Sequence, residues 1–330
     1  MRVNLQKIAF VGILLILGLT FFAQPFFMPK AIAAEKVTMR LHWKCSGMHI
    51  PFIVAKDKGF FMQEGLDVSV KEGAGSTNTV KLIAAGKDTF GMGGTNVIVK
   101  GVARGMPIIQ VCVVEASKKQ GVLSKPEAGI KEPKDLIGKT IAGSGAGTSD
   151  FFNAFLTANN IPVDKVKYLA AGRARLEAVA SGRADGTLGL GLDDIKRLQT
   201  MGIPSPQLLQ FSDWGVPEHG DGIITNLETV KKNPDMIRRF VRAFIRGVNH
   251  TFMDIEGAAD IAIKYFPNAK KDILVTQLNN VYWVFPPPLG WQDPKVVKGV
   301  RDIIAKYGGI PEAANMPLSK FFTNEFLPKY

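Results

Sequence analysis

The sequence predicts an α/β fold in two lobes, each a mostly parallel sheet flanked by helices. Strand patterns alternate with helical patterns over most of the chain. A helix between successive strands returns the chain so that the strands run parallel. The same rhythm begins again near Ser124. Beyond an N-terminal apolar segment roughly 300 residues remain, which suits two domains of ordinary size.

In the first unit VTMRLHW, Val37–Trp43, alternates and is rich in strand formers. IPFIVAKDKGFF is a helix with Pro51 near its first turn, where a missing N–H costs little. Gly59 and Gly65 are natural stops, because glycine accepts the left-handed backbone of a helix end. LDVSV is the next strand, and STNTVKLIAAGK a helix that Ser76 or Thr77 would cap and Gly86 would end. FGMGG is a short strand, NVIVKGVARG a helix and PIIQVCVV a buried strand.

The second unit repeats the pattern. IKEPKDLIGKTIAG gives a turn, a short helical piece and a strand, and TSDFFNAFLTANN a helix that Thr148 or Ser149 would cap. VKYLA, DGTLGLG and QLLQFSDW are strands, with helices RARLEAVASG and LDDIKRLQTMG between them. From GIITN onward helices dominate. PDMIRRFVRAFIRGVNHTFMDI carries Ile237, Phe240, Val241, Phe244, Ile245 and Val248 on one stripe. KKDILVTQLNNVYWV and PKVVKGVRDIIAKYGG follow, with FPPPLGWQDP as a rigid loop between them. This strand-poor third is expected to pack outside the first unit.

The N-terminus combines Arg2 and Lys7, the uncharged run Ile8–Phe22 and the exit Ala31-Ile32-Ala33. A basic start, an apolar middle and a small-x-small exit make a secretory signal peptide. Residues 1–33 are therefore expected to be removed, with the mature protein soluble in the periplasm; an uncleaved anchor is the alternative. Cys45, the first cysteine, lies in HWKCS, which is not a lipid-attachment context. No later apolar run is long enough to cross a bilayer. Loss of Arg2, Lys7 and Lys30 lowers the formal charge from +12 to +9. The remaining charges are scattered, without a basic run, which argues against nucleic acid as a partner. Cys45 and Cys112 are the two cysteines. They could pair in an oxidising compartment, or Cys112 could serve its strand as a small hydrophobe.

Catalytic motifs are absent. Gly138-Lys139-Thr140 ends like a phosphate loop, but the glycine such a loop needs at 133 is Pro133. The run around Ser144 is not a nucleophile elbow. His42, His49, His219 and His250 have neither helical spacing nor a cysteine cluster, so no metal site is expected. Two glycine-rich helix starts, AGSTNT and SGAGTSD, offer unpaired N–H groups to polar ligand atoms. They are either ordinary β–α turns or parts of one site at the carboxyl ends of the strands.

Five fragments in one order carry a resemblance: PFIVAKDKGFFMQEGLDVSV, GAGSTNTVKLIAAGKDTFGMGG, ARGMPIIQV, IKEPKDLIGKTIAG and RLEAVASGRADGTLGL. The chain resembles the periplasmic solute-binding proteins of ABC importers, in the subgroup for nitrate, taurine, aliphatic sulfonates and thiamine-type pyrimidines. The resemblance implies the type II two-lobed fold, with crossovers near Val114–Leu123 and near Asp221–Asn226. Lobe one would be residues 34–118 completed by 223–330, and lobe two 119–222. It also implies a monomer without cofactor or enzymatic activity, which delivers a small molecule to a membrane permease and its ATPase.

Carried onto this chain, the family's cleft would be lined by Trp43, Ser46 and His49, by Ser76 and Thr77, and by Thr95 and Asn96. The second lobe would add Ser144, Thr148, Ser149 and Asp193, with Trp214, His219 and Asp221 near the hinge. Trp43 and Trp214 could stack on a planar ligand; a tryptophan plugging the core is the other reading of Trp43. His49 could instead lie on the surface, and Asp193 and Asp194 could simply cap a helix. The mapped loops hold no arginine, only Lys44 and His49 as candidate cations, so a small polar organic molecule, with or without a ring (a sulfonate, a pyrimidine or a related compound), is expected rather than a simple inorganic anion. The order GKDTFG puts Thr89 where the family commonly has an acid. Two other readings share the fold: a pyrimidine synthase like the fungal enzyme of thiamine biosynthesis, or a ligand-presenting partner of a membrane sensor. The fungal enzyme is cytosolic, uses pyridoxal phosphate and carries a cysteine-rich motif; the signal segment and two cysteines here depart from it.

Overall fold

The first sheet grows from the alternating segments. β1 (Glu35–Arg40) pairs parallel with β2 (Leu66–Lys71) on one side and β3 (Phe90–Gly94) on the other. β4 (Ile108–Glu115) is buried along nearly its whole length. The second sheet holds β5 (Gln120–Ser124), β6 (Thr140–Gly143), β7 (Lys167–Ala170), β8 (Gly186–Leu190) and β9 (Gln207–Gln210), in the order β7-β6-β8-β5-β9. β10 (Asp221–Asn226) returns to the first sheet, whose order is β2-β1-β3-β10-β4. These statements concern residues 33–116, 120–217, 219–281, 285 and 288–329 of a computed structural model, without the side chains of 146–150, 190, 192, 193 and 281. The segment expected to be a signal peptide lies outside them, apart from Ala33.

Each sheet contains one strand against the common direction. β10 runs antiparallel to both β3 and β4, and β5 antiparallel to both β8 and β9. Both are reached directly from the other sheet, without an intervening α-helix among the described residues. The first connection joins β4 to β5, and its residues 117–119 lie outside the described set. The second is 211–220 and not Asp221–Asn226, which is a full strand of the first sheet. QLLQFSDW is likewise shorter as a strand than its composition predicts. It stops at Gln210, and Phe211–Trp214 forms a 3-10 turn. Phe211 turns inward onto Phe155, with ring centroids 4.3 Å apart, because burial outweighs its strand preference.

The helix starting at Ile50 runs to Asp57, and Gly59 (φ 72°) breaks it before a short turn at Phe60–Gln63. The aromatic pair has divided roles. Phe61 is buried and stacks on Phe240 at 5.0 Å, while Phe60 lies under the Arg246 guanidinium. Phe90, Phe240, Phe244 and Phe52 continue this core, with Phe90 and Phe240 4.0 Å apart and Phe52 and Phe244 4.4 Å apart. Each such ring contributes about 1.5–3 kcal/mol through burial. The stripe on Pro234–Met253 supplies Phe240 and Phe244 to this face. Ile255–Tyr265 and Lys271–Val281 pack on the helix Ile50–Asp57 through Ala258, Ala262, Leu274 and Leu278. Pro294–Tyr307 covers the other face through Val297, Val300 and Ile304, beside Val99 and Val102. The free edge of β4 is closed by the chain end, since Gln110 exchanges backbone hydrogen bonds with Phe321 and Thr323.

Cys45 and Cys112 are both free, so the possible disulfide does not form; Cys112 is buried in β4. Thr89, in the place of the family's acid, serves the sheet. Its N–H donates to Thr38 Oγ1 at 2.8 Å, and its carbonyl accepts from Thr225 Oγ1 at 2.8 Å. Asp88 is paired with Arg40 at 2.8 Å. Among the described residues no helix is long and apolar enough to cross a membrane.

Candidate functional site

β1 ends at Arg40, so His42 and Trp43 stand in the loop beyond it. That loop is tied to the glycines after β2. Gly75 N donates to the His42 carbonyl at 2.7 Å and Gly73 N to the Trp43 carbonyl at 3.2 Å. A Cβ on Gly73 would lie 2.0 Å from the Leu41 carbonyl oxygen, and Gly75 has φ 110°, so both positions require glycine. Trp43 is therefore fixed at its backbone while its side chain is 38% exposed. It is not a core plug.

His49 is fully buried and belongs to a chain of polar groups. Its Nδ1 accepts from Ser46 N at 3.1 Å, which assigns the neutral ring's proton to Nε2. Nε2 then faces His42 Nδ1 at 3.2 Å, and His42 Nε2 stands 3.7 Å from Asp221 Oδ2. Asp221, at the start of β10, is also fully buried. The surface reading of His49 is thus replaced by a relay that ties the first loop to the hinge strand. His42, a member of this relay, is absent from the sequence-derived site. Its distance from Asp221 along the chain leaves no periodic signal.

The strand-to-helix turns follow. Ser76 does not cap its helix: Gly75 holds the N-cap position, and Ser76 Oγ accepts from Gly94 N at 3.1 Å instead. Thr77 is exposed in the first turn. Thr95 is buried against Gln110, and Asn96 Oδ1 lies beside Gly94, where a Cβ would meet it at 2.7 Å. In the second sheet Ser144 is exposed just past β6, and Tyr168 Oη donates to the Gly145 carbonyl at 2.9 Å. The helix there begins at Ala146, earlier than a Thr148 or Ser149 cap would put it. The side chains of Thr148, Ser149 and Asp193 lie outside the described residues. Asp194 is no simple cap, because it holds Arg175 with both oxygens at 2.9 and 2.7 Å.

His219, on the second connection between the sheets, packs edge-on against Phe151 with ring centroids 4.6 Å apart. Trp214 is elsewhere. Its carbonyl accepts from Asn159 Nδ2 at 3.2 Å, beyond the far end of the helix Ala146–Ala158. A helix of that length separates Trp214 from the Gly145 turn by about 20 Å. Opposite Trp43 stands Arg173, from the turn after β7, with its guanidinium carbon 5.4 Å from the indole centroid. Arg173 is outside the mapped loops, which themselves hold no arginine, and the turn after β7 brings it over Trp43. Glu72 sits beside them. Partial burial works against its charge, but hydrogen bonds from Lys44 Nζ (2.6 Å) and Cys45 N (2.8 Å), with the charges of Lys44 and Arg173, hold its carboxyl below the usual value. Burial first, and Glu72 second, push the Cys45 thiol up to about 12. Among the described residues no group of His, Cys, Asp and Glu could hold a metal ion.

Two five-stranded sheets exchanging one reversed strand each define a periplasmic-binding-protein fold of type II, the fold of ABC-importer binding components. A protein of Bordetella bronchiseptica superposes with TM-score 0.70 at 20% identity, over 90% of this chain and 97% of that one. The aliphatic sulphonate binding protein of Escherichia coli gives 0.67 at 15% identity, over 88% and 99%. The chain belongs to the NMT1/THI5-like family, whose model matches residues 46–268. Similar curated proteins include a 4-amino-5-hydroxymethyl-2-methylpyrimidine phosphate synthase of Saccharomyces cerevisiae, 23% identical over 78% of this chain and 79% of the relative. A riboflavin-binding protein of Chloroflexus aurantiacus is 24% identical over 89% and 86%. A formylaminopyrimidine-binding protein of Halalkalibacterium halodurans is 24% identical over 65% and 66%.

Proposed function

We propose that this chain is the extracytoplasmic binding component of an ABC importer. As a monomer it captures a small, polar, ring-containing molecule between its lobes and delivers it to a permease and its ATPase. The observation that carries this reading is Trp43, a part-exposed indole on a tied loop of one sheet, facing the second sheet. An aromatic face offers a ring-sized stacking surface, while backbone and hydroxyl groups of the turns offer directional hydrogen bonds. Ligand contact with both lobes favours the closed form, because only a difference in affinity shifts such an equilibrium. Relatives named for riboflavin and for formylaminopyrimidine support a ring-shaped ligand.

A synthase is the second reading, favoured by the name of the yeast relative. Pyridoxal-phosphate chemistry uses a desolvated lysine amine. Lys44 beside Trp43 does not fit: its side chain is 54% exposed and bound to Glu72. The test is mass spectrometry of molecules released from the purified protein, with calorimetry of each candidate found. Release and stoichiometric rebinding of a ring compound is the expected result. Formation of a pyrimidine product from added pyridoxal phosphate would establish the synthase instead.

A further inference from the structure

We propose that Arg173 reads an anionic substituent on the ligand stacked at Trp43, so that the site selects planar molecules bearing a carboxylate, phosphate or sulfonate. This inference rests on the reading of the chain as a cleft-binding protein. Two neighbouring arginines show the difference between anchoring and presentation. Arg175 is clamped by both oxygens of Asp194, with Arg197 3.8 Å from the same carboxylate. That clamp fixes the turn Gly172–Ala174 against the helix Gly191–Thr200. Arg173 stands on the fixed turn and is exposed. Among the described residues it forms no ion pair or hydrogen bond; its close partner is the indole of Trp43.

The nearby acid does not claim Arg173. Both Glu72 oxygens are engaged, one by Lys44 Nζ and the other by Cys45 N. The guanidinium therefore keeps its forked set of donors, the geometry that recognises carboxylates and phosphates. Its contact with an exposed indole is weak and is readily exchanged for a ligand ring. A neutral ring displaces the guanidinium and gains only the stacking surface. An anionic ring gains that surface and keeps the guanidinium as a charged partner. Charge-assisted hydrogen bonds correspond to a preference of about ten- to hundred-fold.

Matched probes test this: uracil against orotate, and riboflavin against flavin mononucleotide, titrated by calorimetry into wild type, Arg173→Ala and Arg173→Lys. In wild type the anionic member of a binding pair is expected to bind at least tenfold tighter, with a preference that shrinks as salt rises. Arg173→Ala should abolish the preference and leave the neutral member's affinity equal or higher. Arg173→Lys should keep part of it. Equal affinity of both members in wild type, or equal loss of both in Arg173→Ala, overturns the role of Arg173 and leaves the binding function standing. Absence of binding by all four probes overturns this ligand class together with the ring-binding reading on which it rests. Melting curves of both variants, expected to match wild type, separate these outcomes from misfolding.

Discussion

On the proposed function, Trp43 acts in ligand binding, and its effect there is separable from its effect on stability. Its indole is 38% exposed and its backbone is held by Gly73, so truncation leaves the loop bonded. Trp43→Ala is expected to cost about 1–3 kcal/mol of ligand affinity, the range for base stacking on aromatic side chains. A core tryptophan would instead cost about 3–5 kcal/mol of stability. Calorimetric affinity and melting temperature on the same mutant distinguish the two, and a large fall in melting temperature with retained affinity contradicts the binding role. The cysteines give a second expectation. Burial raises both thiols, Cys45 to about 12 and Cys112 further. The thiolate is the reactive form, so the native protein at pH 8 should react with iodoacetamide far more slowly than the unfolded chain. Intact mass without reductant should count two free thiols.

At the scale of elements, the crossing of Pro234–Met253 over Ile50–Asp57 is a close contact of the first core. A Cβ at Gly247 would lie 2.3 Å from the Pro51 carbonyl oxygen and 2.8 Å from the Ala55 Cβ. The nearest obstacle is backbone, which cannot rotate away as a flexible side chain can, so the helices must separate. Gly247→Ala is expected to destabilise by about 1–3 kcal/mol, the usual cost of overpacking, although alanine is the better helix former. Urea unfolding reads this as a lower midpoint at unchanged slope. A stabilised variant would mean that the helices already stand farther apart. The long helix is also capped as its sequence asks: Asn233 Oδ1 accepts from Met236 N at 3.2 Å, and its Nδ2 donates to Glu35 at 2.6 Å.

For the whole molecule, the two connections between the sheets meet the first sheet at neighbouring strand ends, since Asp221 pairs with Glu115 across β10 and β4. Helix Pro294–Tyr307 also bridges the halves, with Val300 in the first core and Ile303 against the second. Paired connections permit rigid-body closure about a hinge. Small-angle scattering should show a smaller radius of gyration under saturating ligand; an unchanged radius would mean a cleft closed before binding. Export is tested separately. N-terminal sequencing of protein from the periplasmic fraction should begin at Ala34, and an intact Met1 on membrane-held protein would contradict it.

The sequence by itself determined the order and kind of the elements, because period-two and helical spacing are local properties that burial of one face imposes. Five fragments in order also determined the family. Trp43 is singled out only through the resemblance, since the strand pattern itself runs on to Trp43 while β1 ends at Arg40. The tertiary structure alone decided which strand reverses in each sheet, since that depends on where the chain crosses between sheets. It alone placed Trp214 beyond the end of a helix and buried His49 behind His42. It alone brought Arg173 over Trp43, a contact between residues 130 positions apart in sequence. Each of these depends on a distance through space between segments remote in the chain, and residue spacing carries no record of such a distance.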